Sequence, residues 1–174
     1  MMRNKLLAML AVFTMFSAMD ANAQASQNIN VQATVNATCV INGGGTDLSF
    51  DFGVVDVTGG TNSNTSATFT WRCSNGTPVE IELNAGDNAG SDPGTARQLE
   101  NDTDPGTPIN YLLCQDAACA TLWGDGTTAP DIVTSGTGMG NPETLEIHGI
   151  LDGLSAQDAN PGTYTETVVL SLNF

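Results

Sequence analysis

A long stretch of alternating apolar and polar residues near the start of the chain constrains its fold more than any other feature. From Ile29 to Ile41 every odd position carries an apolar or small side chain, and nearly every even position carries a polar one. This period of two is typical of a β-strand with one buried face. Such a strand would reach roughly 40 Å, about twice the usual length. We therefore expect one domain to cover only part of it and the remainder to pair with another molecule.

The first 23 residues have the pattern of a secretory signal peptide. Arg3 and Lys5 form a basic start, residues 6–19 are an apolar run, and residues 21–23 fit the small-x-small pattern of a cleavage site. We expect cleavage before Gln24 and export of residues 24–174. That length suits one well-buried domain, and no other stretch is apolar for long enough to span a membrane.

The chain without this leader is strongly acidic. Two arginines then stand against eighteen aspartates and glutamates, which gives a net charge of −16, and no lysine is left. Phosphate backbones and anionic lipids would repel such a surface. The charge therefore argues against nucleic acid and membrane surfaces as partners, so we expect neither nucleic-acid binding nor membrane insertion.

Four cysteines in an exported chain predict two disulfides, although four thiols permit three connectivities. We favour a bridge between Cys39 and Cys73, since each lies near the end of a strand-like run, and a local bridge between Cys114 and Cys119. Closing the longer loop contributes roughly 4 kcal/mol on the chain-entropy model. With a single histidine and no Cys-x-x-Cys pair, a metal site is the weaker reading.

Most of the remaining sequence consists of short alternating runs separated by turn residues. The runs cover residues 48–54, 67–73, 79–83 and 145–151, and each is bounded by Gly, Asn, Asp, Thr or Pro. This pattern predicts an all-β fold, an antiparallel β-sandwich. The turn-rich stretches 84–104 and 124–141 are predicted to be surface loops.

The last residues of the chain keep the strand rhythm up to their end. From Tyr164 to Phe174 the even positions are mostly apolar. A sandwich of the immunoglobulin type ordinarily has one more strand after such a segment. We therefore expect an open groove with unpaired backbone groups beside it, complementary to the spare N-terminal strand.

Catalytic patterns are weak throughout the sequence. His148 lies in the polar phase of its strand, and no Gly-x-Ser-x-Gly motif is present. Period two places Glu80 and Glu82 together on an exterior face, and the spacing of Asp125 and Asp131 does not match an EF-hand loop. We expect no catalytic residue, no metal ligand, no cofactor and no enzyme activity.

Several motifs, in order along the chain, resemble the spore coat protein U domain family, which includes the major pilin subunits of archaic chaperone-usher pili. The matching segments lie at 37–40 (ATCV), 48–53 (LSFDFG), 73–78 (CSNGTP), 79–86 (VEIELNAG), 111–118 (YLLCQDAA), 122–126 (LWGDG) and 161–164 (PGTY). Together they cover essentially the whole mature chain. Cys114 and Cys119 depart from the pattern, because many relatives carry other residues there.

The resemblance implies an incomplete immunoglobulin-like β-sandwich that lacks its last strand and is completed by donor-strand complementation. It implies a signal peptide at 1–23, a donor strand at 24–36 and a pilin domain at 37–174. The apolar plugs of the donor strand would be Ile29, Val31, Ala33 and Val35. The acceptor and chaperone-binding edge would contain Tyr164, Val168, Leu170, Leu172 and Phe174.

The same resemblance implies the partners and the location of the protein. Its partners would be neighbouring copies of the same subunit, a periplasmic chaperone and an outer-membrane usher. It would leave through the periplasm and serve surface attachment and biofilm formation in a pilus or fimbria. Two alternatives stay open: a secreted coat protein, or an extracellular carbohydrate-binding or adhesin module that would hold its ligand in loops around Trp123 and in residues 84–104.

Overall fold

The computed structural model describes residues 24–45 and 47–174, so the predicted signal peptide at 1–23 lies outside the described residues. The chain divides into two units, one that ends at Thr34 and a compact one that begins at Val35. Taken by themselves, residues 24–34 contain no helix or strand, and their side chains are exposed. Of the long alternating stretch, only Cys39–Ile41 forms a strand within the compact unit.

The compact unit contains nine β-strands in two antiparallel sheets. In chain order they are β1 (Cys39–Ile41), β2 (Ser63–Cys73), β3 (Pro78–Leu83), β4 (Arg97–Asn101), β5 (Ile109–Cys114), β6 (Ile132–Ser135), β7 (Glu143–Leu151), β8 (Tyr164–Thr165) and β9 (Leu170–Asn173). The larger sheet has the order β1-β2-β7-β5-β4-β8, and the smaller has the order β6-β3-β9. A 3-10 turn at Asn42–Gly44 and a one-turn helix, α1 (Gly153–Ala156), complete the structure.

Side-chain alternation decides which face of each strand is buried. In β2 the odd residues Phe69, Trp71 and Cys73 point inward, while Thr68 and Thr70 at even positions are exposed. The smaller sheet contributes Val79, Ile81 and Leu83 in the same way. Inward side chains of both sheets form one core, with Ile109, Tyr111, Leu113, Trp123, Ile147, Leu151 and Ala156 among its other members. The fold is therefore the all-β sandwich that the alternation predicts.

Two disulfides are formed. Cys39 and Cys73 are directly opposite each other in the β1–β2 pairing, so their bridge fixes β1 to the sheet. Cys114 and Cys119 close the turn after β5. The carboxylate of Asp116 accepts hydrogen bonds from the backbone N–H groups of Ala118, Ala120 and Thr121 in that turn. These bonds lower the pKa of Asp116.

Several strand predictions were wrong in detail. The two stretches predicted to be loops each contain a strand, β4 in 84–104 and β6 in 124–141. Residues 48–54 alternate but form no strand, and Val54 is fully exposed. Phe50 and Phe52 instead pack edge to face as side chains, with ring centroids 5.6 Å apart. The alternation correctly predicted that these aromatic side chains face inward. It was wrong in predicting that their backbone forms a strand.

Candidate functional site: a groove beside the last strand

A groove of about 1290 Å³ opens into the core of the compact unit. Residues 47–55 form one wall, and residues 159–170 form the other. Its floor consists of core side chains from both sheets: Leu83, Ile109, Tyr111, Leu113, Ile147 and Leu151. The floor side chains are almost fully buried, whereas apolar wall residues such as Phe50, Val168 and Leu170 are only half-buried. The walls therefore expose apolar surface that a further strand would bury.

The C-terminal wall is one strand-like segment that changes partners midway. Its first part, β8, pairs with β4, and its second part, β9, pairs with β3. Between them the Val169 carbonyl accepts from the Asn84 N–H at 3.1 Å, and the Val169 N–H donates to Oδ1 of Asn84 at 2.8 Å. The single strand expected from Tyr164 to Phe174 is therefore interrupted at 166–169, because the segment passes from one sheet to the other there.

Four even-numbered residues of this segment line the groove, and Leu172 and Phe174 are not among its lining residues: the four are Tyr164, Glu166, Val168 and Leu170. Tyr164, Val168, Leu170 and Leu172 are half-buried, whereas Phe174 is 61% exposed. The backbones of odd residues bond to β4 and β3, as the carbonyl of Thr163 does with the N–H of Asp102. Backbone groups alternate sides along a strand, so those of the even residues point to the other side. Within the described residues, the backbone N–H and C=O of Glu166 and Val168 have no hydrogen-bond partner.

The opposite wall rests on aromatic rings. The ring of Phe52 contacts that of Tyr111 edge to face, with centroids 5.8 Å apart. Gly149 in β7 lies directly beneath: a Cβ built there would come within 2.6 Å of Cζ of Phe50. A side chain at this position would therefore lift the wall away from the sheet.

A buried polar cluster supports the groove floor. Arg97 is 1% exposed, and its guanidinium donates to the carbonyls of Leu83, Asn84 and Trp123 at 2.8–3.1 Å. Burial lowers the pKa of this guanidinium, while the charge of Glu166 opposes that shift. Burial has the opposite effect on the Tyr111 phenol and raises its pKa, because the charged form of this group is the deprotonated one. The Tyr111 hydroxyl donates to the carboxylate of Glu166.

Sequence reasoning missed both charged members of this cluster. The inward orientation of Glu166 could have been predicted, because Glu166 occupies an even position and the neighbouring even residues are apolar. For Arg97 the sequence shows only that it is one of the two basic residues that follow the predicted signal peptide. Its burial depends on carbonyls that meet only after β3, β4 and the Trp123 loop have come together.

The predicted donor side chains are exposed. Ile29, Val31 and Val35 are 85%, 90% and 86% exposed, and Ala33 is exposed as well. Exposed apolar residues in an alternating row are typical of a surface that awaits a partner. Their role as plugs stays a prediction, as does the acceptor role of the C-terminal residues.

The weaker candidates from the sequence have ordinary surroundings. Trp123 is completely buried, and its indole N–H donates to the carbonyl of Ile81 at 2.9 Å, so its ring is unavailable to a sugar. Nε2 of His148 lies 3.8 Å from Oε2 of Glu146, and both residues belong to β7. In the described part of the chain, one carboxylate oxygen each of Glu80, Glu82 and Asp131 lies within 4.8 Å of the other two.

No helix in residues 24–45 and 47–174 is long and apolar enough to cross a membrane.

Comparison with known proteins gives a family and a fold. The Spore Coat Protein U domain model matches residues 25–171. No curated protein sequence matches the chain significantly. One similar structure is the CsuC–CsuE chaperone–tip adhesion subunit complex from archaic chaperone-usher Csu pili of Acinetobacter baumannii, at 20% identity and a TM-score of 0.53. That match covers 81% of this chain but 41% of the other.

A second similar structure is that of a chaperone-usher pilus studied for the uncoiling of its rod. It is 13% identical, has a TM-score of 0.50, and the match covers 91% of this chain and 99% of the other. At these identities the likeness concerns the fold, which is that of immunoglobulin-like pilus subunits.

Proposed function

Since this chain belongs to the Spore Coat Protein U domain family, we propose that it is a structural subunit of a chaperone-usher pilus that polymerises by donor-strand exchange. The residues 24–36 of one copy would fill the groove of the next. The observation that carries this proposal is the groove itself, where apolar wall residues such as Phe52, Val168 and Leu170 are only half-buried beside backbone groups without partners. An occupant that supplies both apolar side chains and a hydrogen-bonding backbone is a β-strand.

The N-terminal segment has the composition of such an occupant. Residues 24–46 contain no charged side chain, although the remaining residues carry the whole net charge of −16. A neutral strand enters an acidic subunit without charge repulsion. Burying the four plugs and forming roughly ten backbone hydrogen bonds supplies well over ~10 kcal/mol before ordering costs. Joints of this strength are long-lived.

The geometry of the contact leads to a filament. The inserting strand and the groove are different surfaces, so the contact is heterologous, and a filament of any length keeps a free strand at one end and a free groove at the other. An open groove is also an aggregation hazard, and a periplasmic chaperone would cover it until an outer-membrane usher exchanges it for the next subunit. We place the assembled protein at the cell surface, in surface attachment and biofilm formation, with a structural rather than a catalytic role.

Two matched substitutions test this proposal. Val31→Asp puts a carboxylate on the apolar face of the strand, whereas Gln32→Asp adds the same charge to the polar face. The mature chain would be diluted from denaturant and its products examined by unheated SDS gels and electron microscopy. We expect polymers from the unmodified chain and from Gln32→Asp, but none from Val31→Asp.

Deletion of residues 24–35 gives an independent test. We expect a subunit that still binds the chaperone and no longer polymerises, because its groove is intact and its strand is gone. Filaments from this deletion, or an unmodified mature chain that stays soluble and monomeric without a chaperone, would refute the proposal.

A further inference from the structure

Glu166 is a carboxylate in a row of apolar side chains. It occupies an even position of the C-terminal wall, between Tyr164 and Val168, and its side chain lines the groove. It is half-buried in the open groove. Any strand that bonds to the free backbone of this wall places one of its side chains next to Glu166.

The carboxylate is held in one place by groups around it. The hydroxyl of Ser91 donates to Oε1, the hydroxyl of Tyr111 donates to Oε2, and the backbone N–H of Asn88 lies 3.4 Å from Oε1. Gly86 leaves the room that this side chain fills, since a Cβ there would clash with it. Arg97 and Tyr111 are the charged and titratable groups that act on it. An incoming side chain that pushed the carboxylate aside would have to break these hydrogen bonds.

The incoming side chain opposite Glu166 is therefore restricted in size and charge. Directly opposite residues on one face of an antiparallel pair have Cβ atoms ~4.5–5.5 Å apart. An acidic side chain there would place two carboxylates side by side, and a large apolar one would remove the remaining water from a charged group. A small, uncharged side chain avoids both costs.

We propose that Glu166 determines which strand the groove accepts, and that it does so by admitting only a small uncharged residue, Ala33 of the next copy, at its position. This inference rests on the proposed function and adds a register to it. Ala33 is the one small residue among the four plugs. Placing it opposite Glu166 in an antiparallel strand sets Val31 opposite Val168 and Ile29 opposite Leu170.

The opposite strand direction fits the groove less well. With Ala33 again opposite Glu166, a parallel strand would set Ile29 opposite Gly162, which is exposed and has no side chain. Leu170 would then stay uncovered. The antiparallel register matches all four plugs to residues of the wall.

A double-mutant cycle on polymers of the full mature chain tests the inference. We expect Ala33→Leu to reduce polymer yield about tenfold, and Glu166→Ala to restore most of that loss, because residues in contact couple by such amounts. Glu166→Gln should likewise rescue Ala33→Asp, since it removes one of two opposed carboxylates. Val31→Leu is the matched control, and its effect should be the same in both Glu166 backgrounds.

The pH dependence of the joints distinguishes a charged role of Glu166 from a purely steric one, because steric packing does not depend on protonation of this carboxylate. Burial raises the pKa of Glu166 in the open groove, and an inserted strand buries it further. The joint therefore binds a proton more tightly than the open groove does, so joints should strengthen as the pH falls from neutral into the acidic range. Glu166→Gln polymers should lack this component, as measured by their dissociation temperature in SDS.

The outcomes separate the two proposals. Additive effects of the substitutions at 33 and 166, or a pH response unchanged in Glu166→Gln, would overturn the register while leaving donor-strand exchange intact. Normal polymers from Val31→Asp would instead overturn the proposed function itself.

Discussion

Replacing Arg97 with methionine should remove a large part of the stability of the subunit. The guanidinium is almost fully buried and satisfies three backbone carbonyls, those of Leu83, Asn84 and Trp123. Methionine has a similar length but no donor. The substitution therefore leaves the carbonyls without this partner and withdraws the positive charge near Glu166.

The magnitude follows from the number of carbonyls affected. An unsatisfied buried acceptor costs ~1–3 kcal/mol, so three cost about 6 kcal/mol in the middle of that range. Burying the apolar methionine side chain returns ~1.5–3 kcal/mol. We expect Arg97→Met to lower the free energy of unfolding by about 3–5 kcal/mol, a large fraction of the ~5–15 kcal/mol typical of a domain.

Urea unfolding of the mature chain at low concentration, followed by tryptophan fluorescence, measures this change. Both tryptophans, Trp71 and Trp123, are buried and report on the core. The second arginine is the matched control: Arg72 is half-buried, and its closest acceptor is the Met139 carbonyl at 3.4 Å. Arg72→Met should cost less than about 1 kcal/mol. Equal losses for the two variants would mean that loss of a positive charge, and not loss of a partner for the buried carbonyls, lowers the stability.

Two further substitutions separate structural features of the sandwich. Replacing both cysteines of the β1–β2 bridge with alanine should lower the free energy of unfolding by about 4 kcal/mol, against about 2 kcal/mol for the Cys114–Cys119 bridge, in urea titrations; a reversed order would contradict the loop-length argument. Gly149→Ala should cost ~1–3 kcal/mol because its methyl group displaces Phe50, whereas Gly140→Ala, with open space around it, should cost far less. Equal melting temperatures for these two alanine variants would contradict the close approach beneath the groove wall.

The sequence predicted those parts of the fold that depend on local alternation. The expected runs at 67–73, 79–83 and 145–151 have apolar or small residues facing inward at every second position, and they form most of β2, β3 and β7. Strand β4 was missed because its buried residues are Arg97 and Asn101, both polar. These two residues are buried because groups from distant parts of the chain satisfy their polar atoms. An alternation of apolar and polar residues does not reveal such partners.

The groove was expected from the strand rhythm of the last residues, and its apolar wall follows from the alternation there. Its chemistry was not expected. Whether Glu166 faces solvent or the core depends on hydroxyls that Ser91 and Tyr111 bring from distant positions in the chain. Long-range polar contacts of this kind become visible only in the folded molecule.

The Cys39–Cys73 bridge has a mechanical consequence in a filament of the proposed kind. A pull along the fibre would enter each subunit through its leading segment and reach Cys39 first. Strand β1 has three residues and would peel off its neighbour under modest tension. The covalent link transfers the load at that residue to the end of β2, which is paired along nine residues with β7. The force is thereby spread over the longest ladder in the sandwich.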